Sequence, residues 1–334
     1  MATTMRAIRV EGPEQALVLG EAPRPEPAAG QVLIEVHATA VNRADLLQRR
    51  GFYPPPPGES DILGLEAAGT VVALGAEVTG AASVDNVRVG DRVMCLLGGG
   101  GYAEYVVVDH RMALPIPGDL PFERAAGVPE VFYTAYMTLV AEAGLARGET
   151  LLIHAGGSGV GTAAIQLAGA LGARALVTAG SADKLERCHA LGAVGGINYK
   201  DEDFAERGRA LTDGHGVDVI LDCVGGSYLD SNLTLLAPRG RLVIIGLMGG
   251  ARAEINLALV VGKRLRVIGT MLRTRSLEEK LVLTAGMRET VLPLLAAGTV
   301  RPIIDAVFPL SDAAAAHDRV ASNANFGKVI LRVR

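Results

Sequence analysis

The chain has 334 residues, is 49% hydrophobic, and carries a net charge of −4 with a mean hydropathy of +0.31. That balance fits a globular protein of about two domains, each long enough to bury its own core. It offers no basic footprint for nucleic acid, no uncharged apolar run of the ~18 residues that a membrane span needs, and no signal-peptide core at 1–6, so a cytoplasmic protein is expected.

Read in chain order, the first part is strand-like. Runs at 6–10, 31–38, 69–75, 91–95 and 103–108, separated by Gly and Pro, predict a mostly β, barrel-like domain up to about Val128. Within it, 43–50 reads as a short helix, 53–58 with its four consecutive prolines as an exposed loop, and 80–86 as a loop insertion. Past Pro129 the text alternates. Helices are expected near 134–142, 159–171, 182–191, 203–212 and 228–236, with strands at 150–154, 174–178, 197–199, 217–223, 241–245 and 265–270. Six strands with intervening helices imply a parallel, doubly wound α/β sheet. A long amphipathic helix follows at 277–297, with Pro293 marking a bend. Strand 306–310, helix 311–321 and strand 328–333 close the chain, and the last strand suits a return to the first domain.

The most informative stretch is 150–168, TLLIHAGGSGVGTAAIQLA. An apolar strand runs into Gly156, Gly157, Gly159 and Gly161, then into a helix-period stripe of Val160, Ala164, Leu167, Ala168 and Leu171. Glycines allow close backbone approach to a pyrophosphate, and the helix start presents unpaired N–H groups to negative charge. The next strand ends about 20 residues on, where an acid would bind the ribose 2′-hydroxyl of NAD. Gly180, Ser181 and Lys184 stand there instead, and Asp183 reads as a solvent-facing helix-start residue. Small residues and a cation favour the 2′-phosphate of NADPH. The alternative is a plain helix cap beside an ordinary surface lysine. Cys95, Cys188 and Cys223 are odd in number and widely spaced, which builds neither a disulfide framework nor a CxxC metal pair.

With these elements in place, the chain resembles the medium-chain dehydrogenase/reductase superfamily. Within it, the likeness is to the zinc-free quinone oxidoreductases, specifically the tumour-suppressor-inducible quinone oxidoreductase group. It rests on VNRADL (41–46), ILGLEA (62–67), IHAGGSGVGTAAIQL (153–167), TAGS (178–181), NYK (198–200), DCVGGSY (222–228), GLMGG (246–250) and the Leu272–Arg273 pair. Zinc-dependent relatives carry Gly-His-Glu where this chain reads Gly64, Leu65 and Glu66, and a cysteine near Asn42–Asp45 that is missing here. The cysteine-rich lobe after residue 95 is also absent, and His37, His110, His154, His189, His215 and His317 show no ligand spacing, so no metal is expected.

The resemblance implies a GroES-like catalytic domain at 1–128 and 272–334 and a Rossmann domain at 129–271. It implies that Gly157, Ser158, Gly159 and Val160 wrap the pyrophosphate, while Lys184, Gly180, Ser181 and Tyr199 hold the 2′-phosphate. Cys223, Val224, Gly246, Leu247 and Met248 would line the cofactor at strand ends, and Leu272 and Arg273 would close on the nicotinamide side. Thr134 would hydrogen-bond the nicotinamide or simply cap a helix. Asn325 and Lys328 would reach the cofactor, or be a turn and a solvated lysine. Asn42 and Tyr53 are the expected catalytic pair, Asn42 orienting an acceptor carbonyl and Tyr53 donating a proton or shaping the pocket; Asp45 is either part of a proton path or a capping acid. The expected activity is NADPH-dependent reduction of quinones by hydride transfer from nicotinamide C4 in an interdomain cleft. The alternatives are reduction of an enoyl-thioester or enone C=C bond, and a non-catalytic NADPH sensor or RNA-binding protein. The same resemblance implies a homodimer paired along the strand at 265–270, whose edge would otherwise be open.

Overall fold

Two kinds of sheet follow from two kinds of apolar pattern. The computed structural model describes residues 3–78 and 87–334, and the expected 80–86 insertion lies outside the described residues. In chain order the structure opens with β1 (Thr4–Glu11), β2 (Ala16–Pro23), β3 (Gln31–Val41) and helix α1 (Arg43–Arg49). It continues through β4 (Glu66–Leu74), β5 (Arg92–Leu96), β6 (Tyr105–Asp109) and β7 (Leu114–Pro115) to α2 (Phe122–Ala125) and α3 (Pro129–Tyr136). Next come β8 (Thr150–Ile153), α4 (Gly159–Ala170), β9 (Arg174–Ala179), α5 (Ala182–Ala190) and β10 (Gly195–Asn198). They are followed by α6 (Phe204–Ala210), β11 (Val217–Asp222), α7 (Leu229–Leu235), β12 (Leu236–Ile244), α8 (Leu257–Lys263) and β13 (Arg266–Gly269). The tail holds α9 (Leu277–Gly286), α10 (Leu292–Ala296), β14 (Ile304–Pro309), α11 (Ala313–Ala321) and β15 (Lys328–Arg332).

The chain divides into two compact units. Unit 1 comprises Met1–Val131, Arg273–Ala296 and Pro302–Arg334, and unit 2 comprises Phe132–Leu272 and Ala297–Arg301. In unit 1 the main sheet runs β14-β15-β3-β4-β5-β7, with β6 also on β3, and β1 and β2 form a separate antiparallel pair. The chain's last strand, β15, lies antiparallel to β3 and parallel to β14, so the C-terminus completes the domain that the N-terminus began. One core gathers Val32, Ile34, Val36, Val71, Val93 and Val106, residues whose branched side chains fit a pleated surface. In unit 2 the order β10-β9-β8-β11-β12-β13 is parallel throughout, and β8, buried along its whole length, shows why its sequence is a continuous apolar run. The order reverses between β8 and β11, and ligands of such sheets bind at the carboxyl ends of the strands beside that switch.

Several elements differ from the sequence expectation for identifiable reasons. The strand expected from 69 begins at Glu66, because the charged side chain is itself buried and paired. The helix expected from 134 starts at Pro129, which suits a first helical position lacking an N–H, and it runs on as a wider π-type turn through Met137–Glu142. The 277–297 helix is interrupted by a second such turn at Met287–Val291, just before Pro293, which has no N–H to give the preceding turn. Strands β2 and β7 and helices α2 and α8 were not foreseen; β7 and α2 are two and four residues long, too short to show a period.

Candidate active site

In unit 2 the turn between β8 and α4 has the build of an anion cradle. Ser158 caps α4, its Oγ accepting the N–H of Gly161 at 2.9 Å, which leaves the Gly159 and Val160 N–H groups as first-turn donors without intrahelical acceptors. Ala155 takes a left-handed φ of 56°, backbone strain of the kind concentrated at ligand-binding turns. The turn admits no side chain at Gly161, where a Cβ would lie 2.4 Å from the Ala155 carbonyl oxygen and 2.6 Å from that of Gly156. Backbone atoms cannot yield as a flexible side chain would. Gly161→Ala is therefore expected to cost about 1–3 kcal/mol and to abolish dinucleotide binding, read by thermal melts and cofactor titration. An unchanged affinity would show that the turn does not hold the cofactor.

Behind this turn lies a polar network that sequence reading did not find. His154 donates from Nε2 to Asn232 Oδ1 (2.8 Å), and its Nδ1 faces Thr178 Oγ1 (3.1 Å). Asn232 donates to Asp222 Oδ2 (3.2 Å), and Asp222 Oδ1 accepts the N–H groups of Val224 (2.6 Å) and Gly225 (3.1 Å). Burial holds the His154 imidazole down to about 4, so it stays neutral. The network connects the ends of β8, β9 and β11. The Cys223–Gly225 turn is in turn bonded to the 246–249 turn, since Gly249 N–H donates to Val224 O at 2.7 Å. Leu247 and Met248 on that second turn are more than half exposed. Two buried polar residues inside otherwise apolar strand ends were the available signal.

At the end of β9, Ser181 caps α5 and accepts the Lys184 N–H at 3.4 Å. Asp183 faces solvent at 77% side-chain exposure, within 4.0 Å of Arg187. Tyr199, 45% exposed at the end of the neighbouring β10, stands over Gly180: a Cβ on that glycine would lie 2.7 Å from the tyrosine hydroxyl. The structure thus brings Gly180, Ser181 and Tyr199 together, with Lys184 one turn along α5. Thr134 is buried in the last turn of α3, so it does not cap a helix start; Leu272 is buried as well.

Unit 1 contains the second group. Lys328, at 3% exposure, gives its ammonium to Glu66 Oε1 (2.7 Å), Asn42 Oδ1 (2.6 Å) and the Val41 carbonyl (3.3 Å). An ammonium has three donors, so none remains for a cofactor. Asn42 donates from Nδ2 to Glu66 Oε1 (2.8 Å), and its other amide hydrogen has only a 3.5 Å contact to the Ala40 carbonyl. One weakly held N–H is what Asn42 has left for an acceptor. Asn325 is occupied locally, donating to the Gly327 carbonyl.

Asp45 is fully buried and turns out to be a cap. Its carboxylate accepts the N–H groups of Asn42 (2.7 Å) and Gly64 (3.1 Å) and the Tyr102 hydroxyl (3.3 Å), while burial pushes it up to about 6. Arg273 is spent on position. Its guanidinium donates twice to Gly98 O (2.8 and 2.7 Å), once to Tyr53 O (3.0 Å) and once to Gln48 Oε1 (2.7 Å), and lies 5.2 Å from the Tyr53 ring centre. Burial and then the nearby Glu130 hold the Tyr53 phenol up at about 12. Glu130, which sequence reading missed, donates its backbone N–H to Glu66 Oε2 (2.8 Å). Burial and then the Glu66 charge push its carboxyl up to about 8, so Glu130 and Tyr53 both carry a proton at neutral pH.

Residues 159–285 match the zinc-binding dehydrogenase family, and residues 28–118 match the alcohol dehydrogenase GroES-like domain. An alcohol dehydrogenase superfamily protein from Novosphingobium aromaticivorans is 33% identical, with a TM-score of 0.86 over 99% of this chain and 100% of that one. The chain belongs to the medium-chain dehydrogenase/reductase superfamily. Unit 1 is its GroES-like domain and unit 2 its Rossmann domain. The quinone oxidoreductase from Coxiella burnetii is 31% identical, with a TM-score of 0.81 over 99% of this chain and all of that one. A phenolphthiocerol synthesis polyketide synthase of Mycobacterium marinum is 42% identical over 220 residues, 65% of this chain; this chain spans about a tenth of the length of that curated relative. The zinc of the first family does not fit this donor set. Buried Leu65 stands where the imidazole would be, Asn42 is tied to Lys328, and among the described residues no three His, Cys, Asp or Glu side chains are grouped to hold a metal ion.

Proposed function

We propose that this oxidoreductase uses NADPH to reduce quinones without a metal. The observation that carries the reading is the β9–β10 strand end, where small residues, a tyrosine hydroxyl and lysine replace the acid that would select NAD. NADPH, when bound, supplies a hydride from its nicotinamide ring. The chain's own residues then have separable tasks. First-turn N–H groups at Gly159 and Val160 hold the pyrophosphate, and the Ser181–Lys184 turn with Tyr199 holds the 2′-phosphate. The Asp222–Asn232–His154 network keeps the strand-end turns rigid. A quinone that has accepted a hydride needs a proton, and Tyr53 and Glu130 are the groups that hold one at neutral pH. With no Lewis acid in the donor set, an acceptor that is already electrophilic is favoured over alcohol oxidation.

A second reading, reduction of the C=C bond of an enoyl thioester, is supported by the likeness to the mycobacterial polyketide synthase. The quinone reading draws on a likeness running the full length of both chains. The test is oxidation of NADPH and NADH with ortho- and para-quinones and an enoyl thioester, on wild type and Lys184→Ala. The expected result is NADPH-selective quinone turnover, with the selectivity falling about tenfold in the variant. Turnover of the enoyl thioester alone would transfer the assignment to the second reading, and equal use of NADH would remove the 2′-phosphate reading.

A further inference from the structure

The 2′-phosphate reading counts one cation, Lys184, but a phosphate monoester carries close to two negative charges at neutral pH. The structure places a second lysine at the same spot. Lys200 follows Tyr199 directly after β10, and its Cε would be 3.2 Å from a Cβ on Gly180, the glycine over which the Tyr199 hydroxyl also stands. Gly180 does not have a positive φ, so what demands glycine there is space: the Tyr199 ring and the Lys200 stem already fill the position. The parallel register sets Asn198 opposite Ala179, which brings the residues after both strands to one sheet end.

Neighbouring acids do not consume this ammonium. Asp201 accepts the Asn198 side-chain amide, and Glu202 accepts the Asn198 backbone N–H and pairs with Arg207 at 3.3 Å. Asp183 lies beside Arg187. Among the described residues Lys200 has no ion-pair partner. Its backbone is set by a 3.3 Å bond from its N–H to Asn198 Oδ1. The side chain is therefore anchored at its base, laid along Gly180, and left with a free charge at its tip.

We propose that Lys200 is a second specificity-determining residue for the cofactor's 2′-phosphate, acting together with Lys184. This rests on the NADPH reading. It goes beyond that reading by assigning discrimination to two cations from two strand ends, with Gly180 kept bare so that the second can approach.

The test separates the two claims. Binding of adenosine 2′,5′-bisphosphate and of 5′-AMP is measured by calorimetry on wild type, Lys184→Ala, Lys200→Ala and Lys200→Glu. Wild type is expected to prefer the bisphosphate. Lys200→Ala should weaken the bisphosphate about tenfold while leaving 5′-AMP within about twofold, and Lys200→Glu should weaken it further. Lys200 is exposed, so neither change should move the melting temperature appreciably. A wild type that prefers the bisphosphate, a Lys184→Ala that loses the preference and a Lys200→Ala that keeps it would overturn this inference and leave the NADPH reading standing. A wild type that binds both probes equally would overturn both.

Discussion

Lys328→Ala is expected to destabilise the GroES-like domain by about 3–5 kcal/mol, a larger loss than an ordinary surface substitution by an order of magnitude. The cause is what remains. Glu66 is fully buried, and removing the ammonium leaves its carboxylate with the Asn42 amide and the Glu130 backbone N–H but no counter-charge. Asn42 loses the donor to its carbonyl oxygen in the same step. Replacing both charges, with Lys328→Met and Glu66→Gln together, should recover most of the loss, because the desolvation cost disappears along with the attraction. Thermal melts should show the single variant falling by roughly 10 °C and the double variant by much less. Equal losses in the two would mean that packing around Lys328 matters and its charge does not.

The same pair shows where a sequence stops being legible. Parallel strands and the glycine turn are local signals: an apolar run, a glycine-dense bend and a helical stripe all lie within 150–171, and the parallel, doubly wound sheet follows from the alternation after Pro129, though the order of its strands does not. The strand-end grouping proposed for the 2′-phosphate is equally local, since Gly180 and Lys184 are four residues apart. By contrast, Lys328 meets Glu66 across 262 positions, and Arg273 meets Gly98 across 175. Neither contact has any periodicity to betray it. Lys328 and Arg273, expected to touch a cofactor, are saturated by partners within unit 1. Glu130 carried no signal because its importance comes from the Glu66 charge beside it, a neighbour 64 residues away. Lys200 escaped for a different reason. It was read as part of a short motif, while its approach to Gly180 depends on the register of β9 against β10.

Glu130 should also impose an alkaline limit on both stability and turnover. Its carboxyl titrates near 4.5 when unfolded and is pushed up to about 8 in the folded protein, first by burial and then by Glu66. Between those values the folded state holds a proton that the unfolded state has lost. Stability from this group is therefore complete below about 4.5 and declines as pH rises through about 8. At acid pH other groups oppose it. His154 and His317 are held down to about 4 and about 3 by burial, so the unfolded state binds more protons below 6.5 and stability rises with pH there. Asp45, raised to about 6, offsets one of these histidines. The opposing slopes nearly cancel from about pH 4.5 to 6, and the histidine contribution ends near 6.5. Above that pH the Glu130 slope stands alone, roughly 1–2 kcal/mol between pH 6.5 and 8. Unfolding midpoints from pH 5.5 to 9 should hold up to about pH 6.5 and then fall, whereas Glu130→Gln should climb to about pH 6.5 and stay level above it. If Glu130 also supplies the proton that follows hydride transfer, kcat/KM for quinone should drop through an apparent pKa near 8 in wild type and lose that limb in the variant. A kinetic limb that persists in the variant would remove Glu130 as its source, and a wild-type profile that stays flat to pH 9 would assign proton delivery to Tyr53, whose phenol remains protonated up to about 12.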